Sequence, residues 1–529
     1  LEWDLAGKGD YNFLKNRQAV VDYWTDRLKE LGHSDNIFTM GMRGKHDGRM
    51  IGVKNTHEYK DALNAVLQVQ DSLLRQYIHP DSKKIPQQFV PYKEVLDVYR
   101  AGLEVPDHIT LVWPDDNFGY IRHFPDEKER KRTGGNGVYY HTSYWGEPHD
   151  FLWLGIVQPS LMYQQMKTAY DRNMRKIWVL NVGDIKPSEY LTELFLDMAW
   201  DINLSGCKDG SGVVFSHLGN WLNQTFGKKT GKELLPLMKD FYLLSHIRKP
   251  EFMGNTRTYD KRHEQIADLP WSTEEINERL EQFKKLSDRV EKLYATVPSN
   301  RKEAYFEMIQ YPVQASNEMN KKMLYAQFAR HTPSDSASLW KKSDAAYDSI
   351  VSLTRQFNSL LDGKWNHIIS TAPRGLPVFG KVKHTASSMA LVSSPAPLQS
   401  WNGTEHDAVT GVHTVIDGLG HSGKAIYLGK GGTVEYEYRN FRKDSLTVEV
   451  CLVPTHAVEG GKLRFAVSTD DREPQVFDCE TAEYSEEWKV NILRAQAVKT
   501  ARFPSGSRKG RIKITALDEG VVIDQIRLR

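Results

Sequence analysis

Cysteine is scarce in this chain, and the three present, Cys207, Cys451 and Cys479, stand far apart. They support neither a disulfide framework nor a zinc-type spacing. No apolar run approaches the roughly 20 residues that a membrane-spanning helix needs. An excess of one charge is also missing: 70 basic against 68 acidic side chains leave +2, scattered along the sequence. Neither a nucleic acid nor a membrane surface is therefore an expected partner. The acidic residues lack His or Cys neighbours at ligand spacing, so no metal is expected. No Gly-rich loop follows a strand in the dinucleotide pattern; Gly134-Gly135 precedes one, the wrong side for phosphate, so no cofactor is expected either.

What the chain does contain is aromatic: 13 Trp and 24 Tyr, many beside Gly, Asp and Asn. Large proteins bury such residues in their cores. Sugar rings also need them, because their apolar faces pack on aromatic planes while their hydroxyls need amides and carboxylates. At 529 residues the chain exceeds one core, and about three units are expected. Residue 1 is Leu, and residues 13–31 already carry Val20, Tyr23, Trp24, Leu28 and Leu31 at helical spacing. The chain is expected to begin inside a domain.

From residue 1 to about 205, short β-branched or aromatic runs at 37–42, 89–92, 109–113, 138–141 and 177–181 are separated mostly by helical stretches at 56–77, 93–101, 159–172 and 187–200. This alternation predicts parallel strands with helical crossovers. Polar residues gather after every strand, as they do at the catalytic face of a (β/α) barrel. Five strands are five of the eight such a barrel needs. From 206 to 370 the pattern turns helical: Ser272 and Glu275 form a capping box, and 304–328 and 338–361 are long amphipathic stretches. From 371 to 529, alternating runs at 434–438, 446–452, 463–467 and 512–515 predict an antiparallel β-sandwich.

Glycoside hydrolysis needs two carboxyl groups about the scissile bond, one to protonate the leaving oxygen and one to activate water or attack. Position after a strand selects Asp47, Glu94, Asp115, Asp116 and Asp184. Arg43 offers a guanidinium that either grips a substrate carboxylate in a bidentate pair or holds a catalytic one in place. Tyr92 shares a strand end with Glu94, and its hydroxyl is a sugar-binding candidate. Strand alternation turns Asp115 and Asn117 to one side and Asp116 to the other. Asp184 is expected to cap the helix beginning near Pro187.

Four segments in order resemble glycoside hydrolase family 115: Gly-Met-Arg-Gly-Lys-His-Asp at 41–47, Trp-Pro-Asp-Asp-Asn-Phe-Gly-Tyr at 113–120, Gly-Gly-Asn-Gly-Val-Tyr-Tyr-His at 134–141, and Trp-Val-Leu-Asn-Val-Gly-Asp-Ile-Lys-Pro at 178–187. The resemblance covers nearly the whole chain. It implies a multidomain protein with a partial (β/α)8 barrel, a helical domain and a β-sandwich. It also implies inverting release of α-1,2-linked glucuronic acid, often 4-O-methylated, from glucuronoxylan. Carried over by motif, Asp47 and Glu94 are the catalytic pair, with either one as the acid. Arg43, Tyr92, Asp115, Asn117, His141, Tyr144 and Asn181 become substrate contacts. A homodimer and a periplasmic or secreted location follow from the same resemblance. Nothing in residues 1–36 matches the family's three earlier barrel strands. The expectation is either a longer parent polypeptide or an unclosed barrel, with residues 1–205 labile to protease. Two rival classes stand beside this one: a non-catalytic carbohydrate-binding or scaffold protein using Trp401, Tyr427, Tyr436, Tyr438 and Trp488 of the sandwich, and another barrel glycosidase.

Overall fold

Five short runs pair into one sheet in chain order: β1 (Phe38–Met40), β2 (Gln87–Phe89), β3 (Thr110–Pro114), β4 (Asn136–His141) and β5 (Met174–Asn181). The first four pair in parallel. This is a computed structural model that describes residues 2–529 except 33, 209, 211, 258–265, 388–390, 392–395, 440–444, 471 and 505–507, with the backbone alone for Glu2 and Asp47. Contacts divide the chain into two units. One comprises Leu1–Asp116, Ile121–Tyr140 and Thr168–Val179, and the other Asn117–Tyr120, His141–Lys167 and Leu180–Arg529.

In the first unit, β3 is buried along its whole length, as a strand covered on both faces should be. The Trp113 indole donates to Asn136 Oδ1 at 2.9 Å, which ties β3 to β4. Gly137 lets β5 approach, since a side chain there would meet the Ile177 carbonyl at 2.2 Å. Helix Thr56–Tyr77 crosses from β1 to β2; Asn55 caps it by accepting from the Glu58 amide at 3.0 Å. Tyr59, Leu63, Val66, Leu67 and Leu74 recur at helical spacing and are buried, each aliphatic one contributing roughly 1.5–3 kcal/mol.

Several boundaries differ from the sequence expectation. β2 ends at Phe89, before Tyr92, because Pro91 has no N–H for the ladder, and Tyr92 N–H turns back to the Val90 carbonyl at 2.8 Å. Glu94 is therefore the first residue of helix Glu94–Arg100 and not a strand-end residue. The first long helix starts at Arg17, four residues later than expected. Helix Glu189–Trp200 follows Ser188, which makes no side-chain cap, so Asp184 does not cap it. A turn closed by Ser188 N–H on the Ile185 carbonyl, 2.8 Å, lies between them.

Among the described residues, the second unit's long helices include Glu189–Trp200, Val213–Phe226, Lys228–Ile247, Thr273–Tyr294, Tyr311–His331 and Ser336–Gly363. The Ser272–Glu275 capping box is present in both directions, at 3.2 and 2.7 Å. The continuous helix expected over 304–328 is broken by a π-helical turn at Phe306–Gln310. That turn seats Glu307 against Lys186, 2.7 Å away. Later in the chain come β6 (Gln399–Asn402), β7 (Ala408–Thr410), β8 (His413–Asp417), β9 (Lys424–Leu428), β10 (Thr433–Tyr438), β11 (Ser445–Leu452), β12 (Arg464–Thr469), β13 (Gln475–Asp478), β14 (Ala497–Pro504), β15 (Gly510–Ala516) and β16 (Val521–Leu528). They form two antiparallel sheets, β13-β12-β15-β10-β7 and β14-β11-β16-β9-β8, with β6 pairing β16. Alternate residues such as Val434, Tyr436, Val448, Phe465, Ile512 and Ile526 make one core. Tyr436 and Tyr438 belong to it and Trp488 is 1% exposed, so none of these three offers a free aromatic face.

Glu251 makes this unit's stability depend on pH. One carboxylate oxygen accepts from Leu152 and Trp153 amides at 3.2 and 3.0 Å, while Oε2 has no hydrogen-bond partner among the described residues. Burial pushes its pKa up from 4.5 to about 7. The folded state therefore keeps a proton that the unfolded state has lost. This contribution is full below about pH 4.5 and is lost as pH rises through about 7. Glu251→Gln removes an ionisation cost on the order of 3 kcal/mol. The stability difference, wild type minus variant, should fall between pH 5 and 8 in urea titrations; a flat difference would refute the assignment.

Candidate active site

Arg43 and Glu94 follow the carboxy ends of β1 and β2, which pair side by side. Gln70, on the crossover helix, fixes the backbone after β1: it accepts from Gly41 N–H at 2.7 Å and donates to Gly41 O at 3.0 Å. Arg43 then forks onto Glu94, Nε to Oε1 at 3.2 Å and Nη2 to Oε2 at 2.9 Å. The Tyr59 hydroxyl donates to Oε1 at 3.3 Å and accepts from the Met50 amide at 3.4 Å. The guanidinium also lies 5.0 Å from the Tyr92 ring centroid, a cation–π contact.

The electrostatics are consistent with this geometry. Burial alone would lower the Arg43 pKa, but the hydrogen bonds and charge of Glu94 reverse the effect and raise it. Burial, and then the Glu94 charge, push Tyr59 up to about 12, so its phenol stays protonated and donates. Of the two roles open to Arg43, the structure shows it holding a carboxylate of the chain, that of Glu94. Lysine keeps the charge but cannot make the fork. Arg43→Lys should lower kcat/KM roughly 10- to 100-fold, the worth of one or two charge-assisted hydrogen bonds. Unchanged kinetics in a folded variant would show that the fork is only structural.

Asp47 closes the short 3-10 turn Lys45–Asp47, where His46 has φ 53°. Its side chain lies outside the described residues. Asp115, Asp116 and Asn117 are 2%, 0% and 0% exposed. The expected alternation fails: β3 ends at Pro114, and Asn117 has φ 72°. Asp116 is thus as buried as its neighbours. Asp115, bridged to Ile121, belongs to the first unit and Asn117 to the second.

His141, Tyr144 and Asn181 are all in the second unit. His141 and Tyr144 are 4% and 8% exposed, their rings 5.9 Å apart and edge to face. The Asn181 carbonyl accepts from Thr142 N–H and Oγ1 at 2.9 and 3.0 Å. Its side-chain oxygen accepts from Gly183 N–H at 3.3 Å, so it shapes the turn after β5. Tyr59 was not a sequence candidate. Its signal was weak, a phenol on the buried stripe of an amphipathic helix, where the hydroxyl must find a polar partner. Among the described residues no cluster of three or more His, Cys, Asp or Glu side chains is placed to hold a metal, and no helix is long and apolar enough to cross a membrane.

Residues 1–252 match the family model described as glycosyl hydrolase family 115, and residues 409–529 match that of the glycosyl hydrolase family 115 C-terminal domain. A solved structure of a family GH115 4-O-methyl-α-glucuronidase, BtGH115A, with specificity for decorated arabinogalactans, is 48% identical, with a TM-score of 0.96 over 100% of this chain and 69% of that one. An exo-β-1,3-galactanase from Phanerochaete chrysosporium is 18% identical over 26% of this chain and 30% of its own, with a TM-score of 0.21. The C-terminal CBM6 of LamC from Zobellia galactanivorans is 10% identical over 25% and 97%, with a TM-score of 0.20. Neither of these two bears on function. The curated proteins gave no match.

Proposed function

The chain belongs to glycosyl hydrolase family 115, and from that premise we propose an exo-acting, inverting hydrolase that releases α-linked (4-O-methyl)glucuronic acid from a decorated polysaccharide. The Arg43–Glu94 fork after two adjacent parallel strands carries the proposal. It presents a carboxyl group in fixed orientation where barrel hydrolases place their catalytic acids. Asp47 is the second carboxyl, and inversion requires the pair to stand roughly 6.5–9.5 Å apart to admit water. One of them protonates the departing glycosidic oxygen; the other takes a proton from that water. The same resemblance to the family supports Tyr92 and Asp115 of the first unit as sugar contacts, and, taken separately, Asn117, His141, Tyr144 and Asn181 of the second. We read the five strands as part of a (β/α)8 barrel over residues 1–205, followed by a helical domain to 370 and the sandwich. A homodimer and a periplasmic or secreted location belong to the same proposal.

Decorated arabinogalactan is the first substrate class to try, because BtGH115A is specific for it. Glucuronoxylan with α-1,2 linkages is the second, on the strength of the four sequence motifs. The test incubates the protein with each and follows the released uronic acid by proton NMR from the earliest times. Inversion of an α-linkage yields the β-anomer first; initial α-anomer means retention and sinks the mechanism. Binding to both polymers with turnover of neither would establish the non-catalytic alternative.

A further inference from the structure

Trp145 is 61% exposed although it directly follows Tyr144, which is buried. Single exposed apolar side chains are common, but this one is held in a specific mount. Tyr144 and Phe151 exchange both backbone hydrogen bonds, at 3.0 and 2.9 Å, so residues 144–151 form a closed loop with Trp145 directly beside the pair that closes it. Asp150, 1% exposed, braces the loop from within by accepting from Gly146 N–H at 2.7 Å on Oδ1. Its Oδ2 accepts from Arg374 Nη1 at 2.6 Å. The same guanidinium lies 4.6 Å from the Trp145 ring centroid. Arg374 reaches this position from the short turn Pro373–Gly375 with φ 52°, an uncommon conformation for a non-glycine residue. Within the same loop, Glu147 pairs with Lys489 at 2.9 Å. Gly146 is required where it stands, since a Cβ would lie 2.3 Å from the Tyr144 hydroxyl.

A buried carboxylate therefore holds a cation over the ring of an indole that is still mostly exposed. Such a ring has lost its freedom before any ligand arrives, which lowers the entropic cost of stacking. The apolar C–H face of a pyranose fits it; a carboxylate does not, because the π-face carries partial negative charge. We propose that Trp145 is a stacking platform for a neutral main-chain sugar of the polysaccharide, with Arg374 and Asp150 as its positioning residues. The platform rests on the glucuronidase reading above and adds a specificity determinant for polymeric substrates.

The test uses the full chain as wild type, Trp145→Ala and Trp145→Phe. It compares kcat/KM on the decorated polymer with that on the disaccharide of glucuronic acid and its linked sugar. The polymer-to-disaccharide ratio should fall about tenfold in the alanine variant, through KM, and the phenylalanine variant should recover most of it. An unchanged ratio overturns the platform. Retardation of each protein in native gels containing the polymer provides a readout independent of turnover. If wild type hydrolyses neither substrate, the glucuronidase reading fails by itself. Retardation then decides: loss in the alanine variant supports the platform, and equal retardation overturns it.

Discussion

Replacing Glu94 with glutamine should lower kcat by about a thousandfold on a natural substrate, the middle of the range for a positioned general acid or base. Glutamine is nearly isosteric, and its single oxygen in the Oε1 position still accepts from Arg43 Nε and Tyr59, whose donors lie 3.2 and 3.3 Å from that atom; its NH2 faces Arg43 Nη2, so the second arm of the fork is lost. The variant should fold with the side chain in place while proton transfer is lost. The variant also assigns the role. If Glu94 is the acid, a substrate with a good leaving group needs no protonation and should recover most of the rate. If Glu94 is the base, that substrate suffers as much as the natural one. A variant that keeps more than a tenth of wild-type kcat on polymer would remove Glu94 from the catalytic pair.

The largest effect on stability is expected at Arg279, 5% exposed in the helical region. Its guanidinium donates to the Leu244 and Arg248 carbonyls at 2.7 and 3.0 Å and to Asn320 Oδ1 at 3.0 Å. It thus satisfies carbonyls at the end of helix Lys228–Ile247, where the helix dipole favours a cation. Burial brings its pKa down to about 9, so it remains charged at neutral pH. Arg279→Met fills similar volume but takes the guanidinium from the Arg248 carbonyl and Asn320 Oδ1 and leaves the Leu244 carbonyl with the Arg248 N–H alone, at 3.3 Å, a cost of roughly 2–4 kcal/mol. The urea midpoint should drop accordingly, and Arg279→Lys should recover part of the loss. A methionine variant as stable as wild type would show that water or neighbouring groups satisfy those carbonyls.

Arg279 also shows what a sequence conceals. Its spacing, three residues after Ile276 and four before Phe283, puts it on the apolar stripe, but an arginine there ordinarily carries its charge past the core to solvent, and the residue type gives no sign that the guanidinium itself is buried. Only the packing of a second helix end against it made it a core residue. Tyr59 and Glu251 follow the same rule, since each acquired its partner from a segment distant in sequence, Glu94 for one and the 152–153 amides for the other.

The sequence by itself determined the order of elements, because helical and strand periodicities and caps are local. The 56–77 crossover helix matched to the residue, as did the Ser272–Glu275 box. It also determined the family, through four short motifs whose residue types and order survive translation into any conformation. Tertiary structure decided which side chains meet. Glu94 stands on a helix and not a strand because Pro91 cannot extend the ladder, which ends at Phe89, three residues early. Asp116 is buried with its neighbours because Asn117 takes a left-handed turn that strand alternation does not foresee. Arg43 grips Glu94 because β1 and β2 lie side by side, which brings residues 51 apart in sequence within 3.2 Å. Local pattern carries backbone preference, whereas a pair's distance depends on how whole elements dock, and that is a property of the fold.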